Sequence, residues 1–154
     1  MKDYFVHLFR YNDWAHRRLL QAMARLEEPE DAQALFTHVI LSQQRWLERV
    51  RDQSTLGRPW FGPPTYDLGT CEHAWAASLH AWLDTLEAIG DDGLARTLRY
   101  QSSEGPVYCS TVQEVVIQLN NHSVHHRAQI ARMIRQQGHT PPETDYIFFS
   151  RHPG

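Results

Sequence analysis

The chain has 154 residues, enough for one domain that buries most of its apolar surface without disulfide or metal staples. A bound metal is therefore expected to serve function rather than fold. Apolar residues make up 42% and charged residues 21%, with a formal charge of −3, a soluble globular profile that excludes electrostatic attraction to nucleic acid.

The N-terminal text, MKDYFVHLFRYNDWAHRRLL, mixes acidic, basic and apolar residues and offers no signal-peptide core. Phe5, Leu8, Phe9, Asn12, Ala15, Leu19, Met23 and Leu26 recur at three and four, which predicts a first amphipathic helix over 3–27. Pro29 suits the first turn of a second helix running to about residue 52, with Leu35, His38, Val39, Ser42, Trp46 and Val50 close to one face. From 54 to 69 the text STLGRPWFGPPTYDLG carries three prolines and three glycines and reads as a long crossover loop.

A third helix is expected from an N-cap at Thr70 to a stop at Gly90, with Cys71, Trp75, Leu79, Trp82, Leu86 and Ile89 at clean three-four spacing. Ala74, Ala81 and Ala88 make a small-residue stripe beside it, which would let a second copy approach closely. The alternation around Thr97–Gln101 and Val107–Cys109, with SSEG between, predicts a short β-hairpin. Thr111 and Glu114 form a capping box that opens a fourth helix, ended by Gly138 with Pro141 and Pro142 beyond. No run approaches the ~18 apolar residues of a membrane span. Cys71 and Cys109 stand far apart in no CxxC pattern, which points to a reducing, cytoplasmic setting.

Ten histidines are present. His7, His16, His73, His80, His139 and His152 read as scattered surface residues without a role. Helix four is different. At about 100° per residue its inward stripe is Val115, Leu119, His122, His126, Ile130 and Met133, so two imidazoles stand one turn apart where a bundle wants Leu or Ile. Such a pair can reach a single ion. The same spacing fits two histidines satisfied by hydrogen bonds in a wet corner of a bundle. His38, within the apolar set Leu35, Val39 and Leu41, supplies a third imidazole, and three ligands with open positions describe a catalytic rather than a structural metal site. His125 could pair with His122 instead, but it belongs to the polar stripe Gln118, His122, His125 and Gln129, and is expected at the surface or behind the ligands. Ser123 stands where the HExxH helix of zinc proteases has its glutamate, which argues against a protease of that type.

These residues resemble the DinB/YfiT-like superfamily of metalloenzymes over nearly the whole chain. YNDWAHRRLL is similar to the family's opening helix, LFTHVILSQQRWLERV to its second, and NNHSVHHRAQI followed by GHTPPETDYIFF to its HxxxHRGQ signature and proline-aspartate tail. The resemblance implies an all-α fold: one domain over 1–154, a four-helix bundle of up-down-down-up topology, with the long crossover between helices two and three. It also implies metal ligation by His38, His122 and His126. Ala128 departs from the family's glycine, which would relax a close helix approach there.

Members of the superfamily include thiol-dependent S-transferases and isomerases, and many are dimers. The resemblance thus implies a divalent metal ion (Zn, Ni or Fe, since imidazole suits each), a small-molecule substrate, a low-molecular-weight thiol and a homodimer. The expected activity is S-transfer to a small electrophile or metal-hydroxide hydrolysis, at a site whose mouth is lined by Trp60, Phe61 and Tyr66. The rival class is a dimeric, non-catalytic metal-binding stress-response module, supported by the lack of an evident general acid or base.

Overall fold

Apolar residues spaced at three and four draw the chain into helices that must bury one face against each other. A computed structural model, describing residues 1–53, 65–102 and 104–152, shows how they do so. In chain order the elements are α1 (Lys2–Met23), α2 (Glu30–Val50), α3 (Leu68–Leu94), β1 (Thr97–Gln101), β2 (Val107–Thr111), α4 (Val112–Gln136) and α5 (Tyr146–Ser150). The protein is mostly helical with one small antiparallel sheet, in which Arg99 faces Cys109 and Tyr100 faces Tyr108. Helices α1 and α2 each pack on both α3 and α4.

Local chemistry explains most of the boundaries. Acidic Glu30 and Asp31 favour the first turn of α2, where the exposed N–H groups make the helix end positive. The capping box forms as expected: Glu114 N–H donates to Thr111 Oγ1 at 3.2 Å, while Thr111 N–H donates to Glu114 Oε2 at 2.7 Å. Gly138, at φ +80°, ends α4 in a conformation that costs glycine little, and His139 N–H closes back on the Ile134 carbonyl.

One expectation changes and two features are added. The cap of α3 is Asp67, not Thr70; its carboxylate accepts from the Thr70 N–H at 2.7 Å, so Thr70 is the residue capped. Gly90 breaks α3 where a stop was expected, at φ +61°, and one further turn beyond the break carries the chain to Leu94. The tail holds α5, five residues too short to show a period in sequence. The crossover is described only from Thr65 onward, so the expected roles of Trp60 and Phe61 lie outside the described residues.

The interior is divided. One apolar cluster, at the hairpin end, contains Phe5, Phe9, Leu47, Trp82, Leu86 and Leu119, with Trp82 fully buried. A second contains Leu19, Met23, Phe36, Ile40, Trp75 and Ile130. Between them every long helix contributes buried polar side chains: Asn12 and His16 from α1, Ser42 and Gln43 from α2, Ser78 from α3, and Ser123, His126 and Arg127 from α4. Full burial of one large apolar side chain stabilises by about 1.5–3 kcal/mol, and each buried polar group needs a partner to avoid a cost of similar size.

Candidate metal centre

Helix α4 carries His122 and His126 one turn apart, and α2 brings His38 to the same point from 84 residues away. The three Nε2 atoms converge. His122 Nε2 lies 3.0 Å from His38 Nε2 and 3.0 Å from His126 Nε2. The rings meet edge to face, with centroids 4.3–4.9 Å apart. His38 and His126 are buried and His122 is half-buried.

The nitrogens are short of protons for this arrangement. His126 Nδ1–H donates to Gln129 Oε1 at 2.6 Å, which leaves Nε2 as a bare lone pair. His122 Nε2 carries at most one proton and lies within hydrogen-bond distance of both other ring nitrogens. Burial, followed by repulsion from His126, His38 and His125, pushes the His122 imidazole down to about 4. Burial also lowers His126, against the Gln129 hydrogen bond, which raises it. Both are neutral near pH 7, the form a metal requires.

One ion at about 2.0–2.1 Å from each nitrogen would set neighbouring nitrogens roughly 3 Å apart, so the residues fit a divalent cation. No Asp or Glu joins the cluster among the described residues. His125 is exposed, its ring 5.0 Å from that of His126, beside the cluster and not in it.

A cavity of about 250 Å³ opens beside His38, walled by Leu35, Leu41 and Met133, with Asp31 and Thr37 as polar members. Thr37 is fixed at both ends. Its hydroxyl donates to the Gln33 carbonyl and accepts from the Tyr66 N–H; Thr65 lines the cavity, while Tyr66 packs against the second apolar cluster. Cys71 approaches Thr37 at 4.0 Å, but burial pushes its thiol up to about 11, so it stays protonated.

Sequence reasoning missed three features. Gln129 sits three residues after His126, the spacing at which helical side chains meet, and that was the available signal for its contact. His16 is not at the surface: it is 1% exposed, edge-on to Trp75 at 4.2 Å and to Phe36 at 5.2 Å. Burial, then the charge of Arg127, holds it well below the usual histidine range. Its signal was its place four residues after the inward Asn12. Arg127 is also buried, its guanidinium donating to Asn12 Oδ1 at 2.7 Å and Tyr11 OH at 2.8 Å, while Tyr11 donates to the Thr144 carbonyl. Ala128, expected at a close helix approach, is exposed and faces the C-terminal tail instead.

Protein DinB of Bacillus subtilis (strain 168) is 24% identical over 165 residues, an alignment that covers 95% of this chain and 93% of the relative. The DinB family model matches residues 1–153, and the chain belongs to the DinB family.

Proposed function

We propose that His38, His122 and His126 bind one divalent cation through Nε2 and that the protein is a metal-dependent enzyme transferring a low-molecular-weight thiol to a small electrophile. The convergence of three imidazole nitrogens from two helices carries this reading. The bound ion would supply positive charge that holds a thiol cosubstrate as its thiolate at neutral pH. That dispenses with a base, in keeping with a cluster that no carboxylate joins among the described residues. Gln129 holds the proton of His126 on Nδ1 and so keeps Nε2 directed at the centre. Leu35, Leu41 and Met133 offer an apolar seat for the electrophile beside His38 and exclude water from that side.

The same reading includes an up-down-down-up bundle, supported by side-chain pairs such as Phe9 with Trp82, Asn12 with Asn120, and His38 with His122. It also includes a two-fold homodimer, for which exposed Ala88 is the part of the alanine stripe left free; Ala74 and Ala81 pack partly on the chain's own core.

Cobalt substitution tests the function directly. Glutathione, bacillithiol or mycothiol should add a sulfur charge-transfer band in the near ultraviolet, together with transfer activity that falls with metal content in His38→Ala. No band with any of the three thiols, alongside measurable ester or amide hydrolysis, would replace transfer by hydrolysis. Neither band nor turnover would favour the non-catalytic binding module.

A further inference from the structure

Helix α4 has a second worked face. At about 100° per residue, Arg127, Ala131 and Arg135 lie about half a turn round the helix from His122, His126 and Met133. They line a cavity of about 470 Å³ between α4 and the C-terminal tail, within the roughly 300–1,000 Å³ of small-molecule sites. Ala128 and Ala131 leave the floor open, and Pro141 and Pro142 form a stiff far wall.

The deepest group in this cavity is Arg127, only 3% exposed. A guanidinium stays charged at neutral pH, yet its hydrogen-bond partners here, Asn12 and Tyr11, are both neutral. It forms no ion pair among the described residues, and Asp145 acts on it only through charge at a distance. A buried charge whose counter-charge, Asp145, stands off without an ion pair is costly, and a fork of N–H donors is suited to a carboxylate. Arg135, near the mouth, adds a second positive charge; Glu143 and Asp145, on the opposite wall, are both exposed and unpaired among the described residues. Val124 and Phe148 give the cavity an apolar portion.

We propose that this cavity binds a small zwitterion of the apolar amino-acid class, its carboxylate on Arg127 and Arg135, its ammonium toward Glu143 and Asp145, and its side chain against Val124 and Phe148. The site is separate from the histidine centre and does not depend on the function proposed for it.

The test is a titration of the ¹⁵N-labelled protein with L-phenylalanine, 3-phenylpropionate and phenethylamine, reading the amide signals of Ala128, Ala131 and Thr144. L-Phenylalanine should give saturable shifts below about 10 mM, 3-phenylpropionate should bind about tenfold more weakly, and phenethylamine should give none. Ala131→Trp, which fills the cavity from a half-buried surface position, should abolish the shifts with the fold intact, and Arg135→Gln should weaken binding several-fold. No saturable shift with L-phenylalanine overturns the proposal, as does binding unaffected by Ala131→Trp. Equal binding of 3-phenylpropionate overturns the role of the acidic wall, and equal binding of phenethylamine overturns that of Arg127.

Discussion

At the hairpin end of the long helices, Phe5, Phe9, Leu47, Trp82 and Leu119 pack as an unbroken apolar cluster; midway along the same helices, Asn12, His16, His38, Gln43, His126 and Arg127 occupy equally buried positions. The first region gains free energy from every side chain that water leaves. The second spends it, because each polar group loses hydration and regains only what its partners return. The contrast separates what holds this protein together from what it is for. If it is correct, substitutions in the cluster should damage stability with metal binding altered only through unfolding, and substitutions in the polar band should do the reverse.

The largest effect is expected at the ligands. His122→Ala or His126→Ala should abolish tight divalent binding in calorimetric titration, His38→Ala should weaken it strongly, and His125→Ala should leave it intact. Retention by His126→Ala with loss in His125→Ala would reverse the ligand set. Next comes the apolar end. Trp82→Ala empties a fully buried site and removes the hydrogen bond from Nε1–H to the Gln43 carbonyl, so urea unfolding should show a loss of about 3–5 kcal/mol. His122→Leu measured in chelator should be close to neutral, because it exchanges a poorly partnered imidazole for an apolar side chain. A loss there as large as that of Trp82→Ala would erase the distinction between the two regions.

A smaller effect is expected one residue back from the metal. Gln129→Leu should lower metal affinity about 10–100-fold while the helical signal and melting temperature of the metal-free protein stay unchanged, because the amide orients His126 and carries no core packing. The last concerns acid. His16 and His122 both have folded-state values below the ordinary histidine value of about 6.5, His122 at about 4. Between those limits the unfolded chain holds more protons than the folded one, so stability rises with pH across that window and is lost as pH falls through it. Denaturation in chelator from pH 7 to pH 4 should therefore show a slope of up to about 1.4 kcal/mol per pH unit for each such histidine, reduced in His122→Leu. A flat profile would mean that neither imidazole is held neutral by the fold.

How far the sequence reached follows the range of the forces involved. Helices and hairpin were legible because period, capping box and turn residues act within a few positions. His38, His122 and His126 were legible because each sits on an apolar stripe where histidine is out of place. The pairing of Arg127 with Asn12 was not, since nothing local distinguishes a buried arginine from the exposed arginines nearby. His16 was misread for a different reason: Arg17 and Arg18 follow it directly, and its inward direction was recorded only in its steps of three and four residues to Asn12, Leu19 and Leu20. Asp67 and Thr70 were confused because both are good caps and the loop before them has no period to fix the start.

The histidine centre takes two of its donors from a single turn of α4 and the third from 84 residues away. Unfolding therefore does not scatter the site completely: His122 and His126 stay four residues apart in any conformation and can still chelate an ion transiently, while His38 drifts off. The ion then has some affinity for the denatured ensemble as well as for the native state, and only the difference between the two raises the melting temperature. A metal bound tightly by this protein should thus protect it from heat less than its affinity alone would suggest, and chelators should strip function well before they threaten the fold.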